Sequence, residues 1–454
     1  MTASAERRAS RPQAVDLFAG AGGMSLGFEQ AGFDVRAAVE VDPVHCAVHE
    51  FNFPDCAVLA RSVVGLTAAD VREAAGIGDG PVDCVFGGPP CQGFSLMGLR
   101  ALDDPRNKLV LEFVRLVAEL GARSFVFENV KGLTAGDHKR FLSEIVEAFS
   151  NAGYQVALPW RVLDAADYGV PQHRERLILM GTRRGETLPE YPAPLVAPAD
   201  GGLDLRGLPV GPTCRDALGD IPDADDYDAL IDSDKVRPAP GGASSDYARQ
   251  LRCRDDESWH HAHPRRWDHR FLTSSIRTDH SEISRRRFAE TAPGSVEPIS
   301  RFFKLAPDGL CNTLRAGTDG ARGAFTSPRP IHYEHPRCVT VREMARLHGL
   351  PDWFRLHSTK WHGARQIGNS VPPPLARAVA VRLLEALGFQ PTRPQTAVPL
   401  GDEPLLYMVA AEAARHYGID ARPGRRDRKS GAKKRTQFET EVARLAAREA
   451  LLAK

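Results

Sequence analysis

Short apolar runs bounded by glycine, proline or polar residues punctuate the first 185 residues, at positions 15–18, 35–41, 82–86, 124–127 and 177–181. Runs without polar alternation predict strands buried on both faces, as in a parallel sheet. Between them, Leu109, Val110, Phe113, Val114, Val117 and Leu120 share one helical face over residues 108–120, and residues 138–152 have a similar spacing. Strand and helix alternate, so the pattern predicts a doubly wound α/β layout.

From about residue 183 proline, glycine and aspartate become frequent and the periodicity fades, which predicts a second, irregular domain running to about residue 336. VREMARLHGLPDWF and LARAVAVRLLEALGF then read as helices. The apolar stripe of the second suits packing on a sheet, so the chain is expected to return to its first domain. Beyond residue 390 follow a Pro-rich linker, a short helical stretch at 405–416, a basic run and an amphipathic helix over 437–453. No internal repeat is visible.

Composition narrows the class. With 454 residues, 42% apolar and 26% charged, the chain suits a soluble globular protein. It has no run of about 18 apolar residues, and MTASAERRASRP lacks the apolar stretch of a secretory signal, so a cytoplasmic protein without membrane contact is expected. The eight cysteines include no C-x-x-C pair, which argues against a disulfide framework and a zinc ribbon. The net charge is +1, but residues 422–435, RPGRRDRKSGAKKR, are strongly basic. Contacts to a polyanion must therefore come from local patches.

Four stretches carry the chemistry. DLFAGAGG at 16–23 sits where a strand gives way to a helix; its glycines admit a ligand close to the backbone, and Glu40, about twenty residues on, is placed for ribose hydroxyls. A dinucleotide oxidoreductase would share this turn but needs a further acid or base at the nicotinamide, and none is found. GGPPCQGFS at 87–95 holds Cys91 behind two prolines. FENV puts Glu128 and Asn129 at the C-terminal end of a strand, where ligands bind in parallel α/β sheets. QHRER at 172–176 places Arg174 and Arg176 on one face of an extended segment. A thiol, a carboxylate and guanidinium groups beside a nucleoside-type pocket suit covalent chemistry on an electron-poor ring. Cytosine C5 cannot take a methyl group from a sulfonium until a nucleophile adds to C6, and a thiolate can do so. Charge then builds on N3, where Glu128, its pKa raised by burial, would donate. No residue declares itself as the base that takes the Cys91 proton.

With these motifs in this order, together with VEVD, RCVTVREMARLHGLPD and QIGNSVPPPLARAVA, the sequence resembles bacterial DNA (cytosine-5)-methyltransferases over residues 15–184 and 337–386. The resemblance implies a Rossmann-like methyltransferase domain with a smaller, irregular target recognition domain, S-adenosylmethionine as cofactor and double-stranded DNA as substrate, with the base flipped out. It implies Cys91 as nucleophile, Glu128 as N3 partner and Arg174 and Arg176 as holders of base and phosphate. Phe18, Gly20, Gly22, Gly23, Glu40, Pro89, Asn369 and Ser370 would line the cofactor pocket; Gln92, Ser95, Thr313, Leu314 and Arg315 would touch DNA. The expected limits are a disordered N-terminus at 1–12, the catalytic domain at 13–184 and 337–390, the recognition domain at 185–336, and a linker, basic run and helix at 391–454. A monomer is expected, with a cognate restriction endonuclease as a possible partner acting on the same site.

Two departures stand out. Val41 replaces the tryptophan that often follows the ribose-binding acid, and AVLARSVVGL lacks the usual adenine-binding aspartate, leaving Ser62 or backbone for that contact. In the recognition segment, SWHHAHPRRWDHRF and SEISRRRF mix arginines with aromatics and are expected to face DNA. His260, His261, His263 and His269 with Cys253 match no common zinc spacing, so no metal is expected. An amino-methylating enzyme would carry an aromatic residue after Pro-Pro. A tRNA-methylating relative would carry a Cys-Phe-Thr signature and a shorter recognition region, and a dead regulator would have lost Cys91 or Glu128.

Overall fold

The computed structural model describes residues 11–90, 107–134, 138–201, 207–239, 241–318 and 326–420. The alternation becomes β1 (Gln13–Leu17), α1 (Gly23–Ala31), β2 (Asp34–Glu40), α2 (Pro43–Asn52), β3 (Ala57–Ala60), α3 (Ala68–Ala75), β4 (Cys84–Gly87), α4 (Lys108–Glu119), β5 (Ser124–Val130) and α5 (His138–Asn151). Three strands follow: β6 (Tyr154–Val156), β7 (Arg161–Asp164) and β8 (Glu175–Arg183). Together they form one sheet ordered β3-β2-β1-β4-β5-β8-β6, with β7 also on β8.

Strands β1 to β5 are parallel. Residues 177–181, expected to continue the parallel sheet, instead lie in β8, antiparallel to β5. Residues 165–174, which alone join β7 to β8, are too few for the helical crossover that parallel pairing needs. The chain winds outward from β1 through β2 to β3, then restarts at β4 on the other side. The switch between β1 and β4 opens a crevice at their C-terminal ends, where the glycine turn and the Pro-Pro segment both emerge.

Both faces of the sheet are covered. Phe113, Phe125, Phe127 and Phe149 pack on one face. Phe28 and Phe86, stacked at 3.7 Å, pack on the other. The return expected from sequence occurs on that second face, where Val379, Leu383 and Leu384 join Phe28 and Phe86 in one core.

Residues 185–336 contribute α6 (Cys214–Leu218), α7 (Asp246–Leu251), β9 (Arg265–Arg266) and α8 (Glu282–Glu290). After them come α9 (Val341–Leu347), α10 (Lys360–Asn369), α11 (Pro373–Leu387), β10 (Val398–Pro399) and α12 (Ala410–His416). The segment shares its core with the sheet domain: Cys214, Trp259, Cys311 and Leu314 are buried together with Leu26, Ala38, Phe53 and Trp353. Arg11, assigned from sequence to a disordered arm, is fixed by a 2.6 Å pair with Asp34 and by the carbonyls of His261 and Thr392. Residues 1–10, the basic run and the helix expected at 437–453 lie outside the described residues. Among the described residues no helix is long and apolar enough to cross a membrane.

The first half of SWHHAHPRRWDHRF is turned inward, against the expectation that it faces DNA. Trp259 stacks on Trp353, His263 pairs with Asp34, and Arg265 binds Glu29 through both terminal guanidinium nitrogens at 2.8 Å with both side chains buried. An arginine fork matched to a carboxylate is a better buried partner than solvent when the surrounding surface is already covered. Its second half, Arg266 to Phe271, keeps exposed arginines. In SEISRRRF, Arg285 and Arg287 pair with Asp225 and Glu297, while Arg286 is exposed. Glu29→Ala should therefore destabilise the protein by about 3–5 kcal/mol, because it leaves Arg265 charged and buried without its acid. Urea unfolding measures this, and a loss under about 1 kcal/mol would mean that the pair does not hold residues 258–266 to the helix that carries Glu29.

Candidate active site

The first wall is the turn between β1 and α1. Phe18 takes a positive φ of 66°, and its N–H donates to Val39 O at 2.8 Å, so β2 shapes the turn. Glu40 ends β2. Its Oε2 accepts the Gly20 N–H at 2.9 Å and its Oε1 the Val41 and Asp42 N–H groups at 2.8 Å, which fixes the carboxylate beside the turn. A Cβ at Gly20 would meet no atom within 4 Å, so space remains there. Gly23 is different: a Cβ would lie 1.8 Å from Ser370 Oγ, and only glycine lets the turn meet the segment between α10 and α11. Half-buried Ser370 and exposed Asn369 thus stand next to the glycine turn. Ser62 Oγ accepts the Val64 N–H at 3.1 Å, just beyond β3.

Beneath this turn lies a chain of buried polar groups that sequence reasoning passed over. Ser25 Oγ donates to Asp16 Oδ2 at 2.5 Å and lies 3.1 Å from His49 Nε2. Burial pushes the Asp16 carboxyl well up and His49 down to about 3, so His49 is neutral at physiological pH. The signal was an aspartate inside an otherwise apolar strand.

The second wall is built by β4, β5 and β8. Val130 faces Arg176 across the antiparallel ladder, so Arg176 is the diagonal neighbour of Glu128 on the same face, within reach of a long side chain. Arg176 Nε lies 2.8 Å from Glu128 Oε1, and each side chain is 13% exposed. Burial pushes the Glu128 pKa up, and Arg176 and Arg174 only partly oppose it. The Pro-Pro segment is held directly against this pair. Asn129 Nδ2 donates to Pro89 O at 3.0 Å, and a Cβ on Gly88 would come within 2.4 Å of Glu128 Oε2. Pro89 is buried and Pro90 exposed; Cys91, Gln92 and Ser95 lie outside the described residues.

Arg174 is employed differently from the sequence reading. Fully buried, it donates to Leu314 O at 2.9 Å and Gly368 O at 2.7 Å, so its ends brace backbone and do not reach for a base or a phosphate. Burial, with Arg176 nearby, pulls its pKa well down against the pull of Glu128. Leu314, expected at DNA, is 2% exposed and packs in the core, with its N–H held by Gln172 Oε1 and its carbonyl by Arg174. Thr313 and Arg315 are exposed, and Thr313 Oγ1 donates to His173 O at 2.7 Å.

This constellation has close counterparts. A family model for C-5 cytosine-specific DNA methylases matches residues 13–385. The chain belongs to that family. It is a DNA (cytosine-5)-methyltransferase. The Type II methyltransferase M.XorII of Xanthomonas oryzae pv. oryzae is 56% identical over 412 residues, covering 91% of this chain and 94% of that protein. M1.HphI of Haemophilus parahaemolyticus, also a Type II methyltransferase, is 33% identical, covering 82% of this chain and 86% of its own. Among solved structures, a prophage-encoded protein (E. coli) described as a candidate DNA modification methyltransferase superposes with a TM-score of 0.65 at 33% identity, covering 83% of this chain and 99% of its own. The Rossmann-like methyltransferase fold and the cytosine-5 chemistry expected from the motifs are thereby established.

Proposed function

We propose that this methyltransferase modifies a cytosine flipped out of a specific duplex sequence, through a covalent bond between Cys91 and C6. The reading rests on one observation above all: the Glu128–Arg176 pair at 2.8 Å, with Gly88 and Pro89 packed against it, brings the residues just ahead of Cys91 to a buried acid. The Cys91 thiolate adds to C6, electrons move onto N3, and Glu128 supplies the proton there. Arg176 holds the acid in place through Nε and, with Nη1 donating to Glu175 O at 2.8 Å, would present Nη2 to the base. C5, made nucleophilic by that addition, would take the methyl group the cofactor supplies; return of the N3 proton to Glu128, loss of the C5 proton to a base and expulsion of the thiolate would then restore the ring.

S-adenosylmethionine, when bound, would supply an electrophilic methyl on its sulfonium. Glu40 would take the ribose hydroxyls, Phe18, Gly20, Gly22, Gly23 and Pro89 would line the turn, and Asn369 and Ser370 would close it. The half-buried carboxylate fixed by three N–H groups and the open space at Gly20 fit such a donor. Residues 185–336 would read the duplex, with exposed Thr313 and Arg315 nearest the catalytic wall. Exposed Arg237, Arg254 and Arg270 rim a cleft of about 750 Å³ in the same region and suit phosphates. The relatives' Type II designation supports a role in restriction-modification beside a cognate endonuclease; a cytoplasmic monomer is part of the same proposal.

A duplex carrying 5-fluorocytosine at the target should trap the enzyme as an adduct that survives denaturation, since fluorine replaces the proton that must leave C5. Bisulfite sequencing of host DNA identifies the target first. No adduct with cofactor present, on a sequence the enzyme methylates, would rule out the covalent route.

A further inference from the structure

Within the segment 172–176, His173 takes no part in the reaction proposed above, yet its ring lies between two carboxylates. Its Nδ1 lies 2.7 Å from Asp164 Oδ2, at the end of β7, and its Nε2 lies 3.2 Å from both carboxylate oxygens of Asp200. A neutral imidazole carries one N–H, so one ring nitrogen would turn its lone pair toward a carboxylate; an imidazolium donates to both. The other oxygen of Asp164 accepts the Arg174 N–H at 2.8 Å, so one carboxylate fixes both the His173 ring and the Arg174 backbone.

The backbone around His173 is stitched to the segment 311–314. The His173 N–H donates to Cys311 O at 3.0 Å, Thr313 Oγ1 donates to His173 O, the Leu314 N–H donates to Gln172 Oε1 at 3.1 Å, and Arg174 donates to Leu314 O. An ion pair on a side chain 47% exposed contributes at most about 1 kcal/mol to stability. Its placement matters more, because here the last stretch of the proposed recognition region meets the strand that carries Arg176.

We propose that His173, clamped between Asp164 and Asp200, is a positioning residue that holds Arg174 and Arg176 in register with Thr313 and Leu314, coupling the recognition region to the catalytic wall. This rests on the roles proposed above for Arg176 and residues 185–336. Among the described residues, Asp164 and Asp200 are the charged groups facing the ring. Partial burial works against the charge, but the two carboxylates outweigh it, so the His173 pKa stands above its usual value. A raised histidine pKa means that the clamp is complete below about pH 6.5 and is lost as pH rises through the folded value.

The test compares His173→Gln and His173→Arg with wild type, measuring kcat and KM for cognate duplex between pH 6 and 9, with ring NMR titration of His173. His173→Gln should lower kcat roughly 10- to 100-fold at pH 6.5, the scale of a small misplacement of catalytic groups, and lose the alkaline fall assigned to His173. His173→Arg, a permanent cation with several donors, should recover most of kcat and be independent of pH over that limb. The ring should titrate above 6.5, and lower in Asp200→Asn. Wild-type kcat and pH profile in His173→Gln, or a ring titrating at or below 6.5, would overturn the clamp even if Arg176→Ala is impaired. An Arg176→Ala variant with wild-type kcat, KM and pH profile would instead count against the reading of the site.

Discussion

Cys91→Ala should abolish methyl transfer, with a loss of roughly 10⁴- to 10⁶-fold as for other nucleophile deletions, while duplex binding and thermal stability stay near wild type. The chemistry is what makes the effect so large. C5 of cytosine becomes nucleophilic only after addition at C6, so no amount of binding compensates for a missing attacking group. Cys91→Ser should retain at most a trace, since a thiol ionises near pH 8.5 while an alcohol stays protonated far above that, and the addition requires the anion. The scaffold predicts that the variant leaves the wall intact: the approach to residue 91 is fixed by Asn129 on Pro89 and by Gly88 against Glu128, contacts that involve no atom of the cysteine. Labelled methyl incorporation into plasmid DNA measures both variants. A serine variant working near the wild-type rate would exclude the thiolate mechanism.

The parts of this molecule that follow from local pattern were legible in the sequence. The five apolar runs became strands, Glu40 and Glu128 stand at the strand ends expected of them, and the helix at Pro373–Leu387 returns to the sheet. What was not legible depends on partners distant in the chain. The direction of β8 is set by the shortness of the link from β7, which a run of apolar residues does not announce. Arg265 and Glu29 are 236 positions apart, so half of an arginine-aromatic stretch that looked like a DNA-facing surface is buried against the helix that carries Glu29. Arg174 and Arg176 look equivalent in QHRER, yet one braces Leu314 and Gly368 and the other meets Glu128, because alternate positions at a strand end see different depths of the same wall. Leu314 reads as one half of a recognition pair and is packed in the core, leaving only Thr313 at the surface.

Glu128→Gln should reduce kcat by roughly 10²- to 10⁴-fold, the range for a positioned general acid, or about 2.7–5.5 kcal/mol of barrier. Glutamine fills the same space and still offers N–H to N3 and oxygen to Arg176, so binding and fold should survive; what disappears is the proton. The site is arranged to keep that proton available: burial raises the Glu128 pKa even though Arg176 lies 2.8 Å away and favours the anion. Because the folded pKa is raised, the protonated acid is present at low pH and is lost as pH climbs through that value. Wild-type kcat/KM should therefore fall on the alkaline side, and Glu128→Gln should lose that limb while the limb assigned to His173 remains. Arg176→Ala acts in the opposite sense on the same acid, removing a group that favours the anion, so it should shift the Glu128 limb to higher pH while weakening the hold on the base. If Glu128→Gln turns over within about threefold of wild type across the profile, proton donation at N3 belongs to another group, and the buried acid serves only to hold Arg176 and the Pro-Pro segment in place.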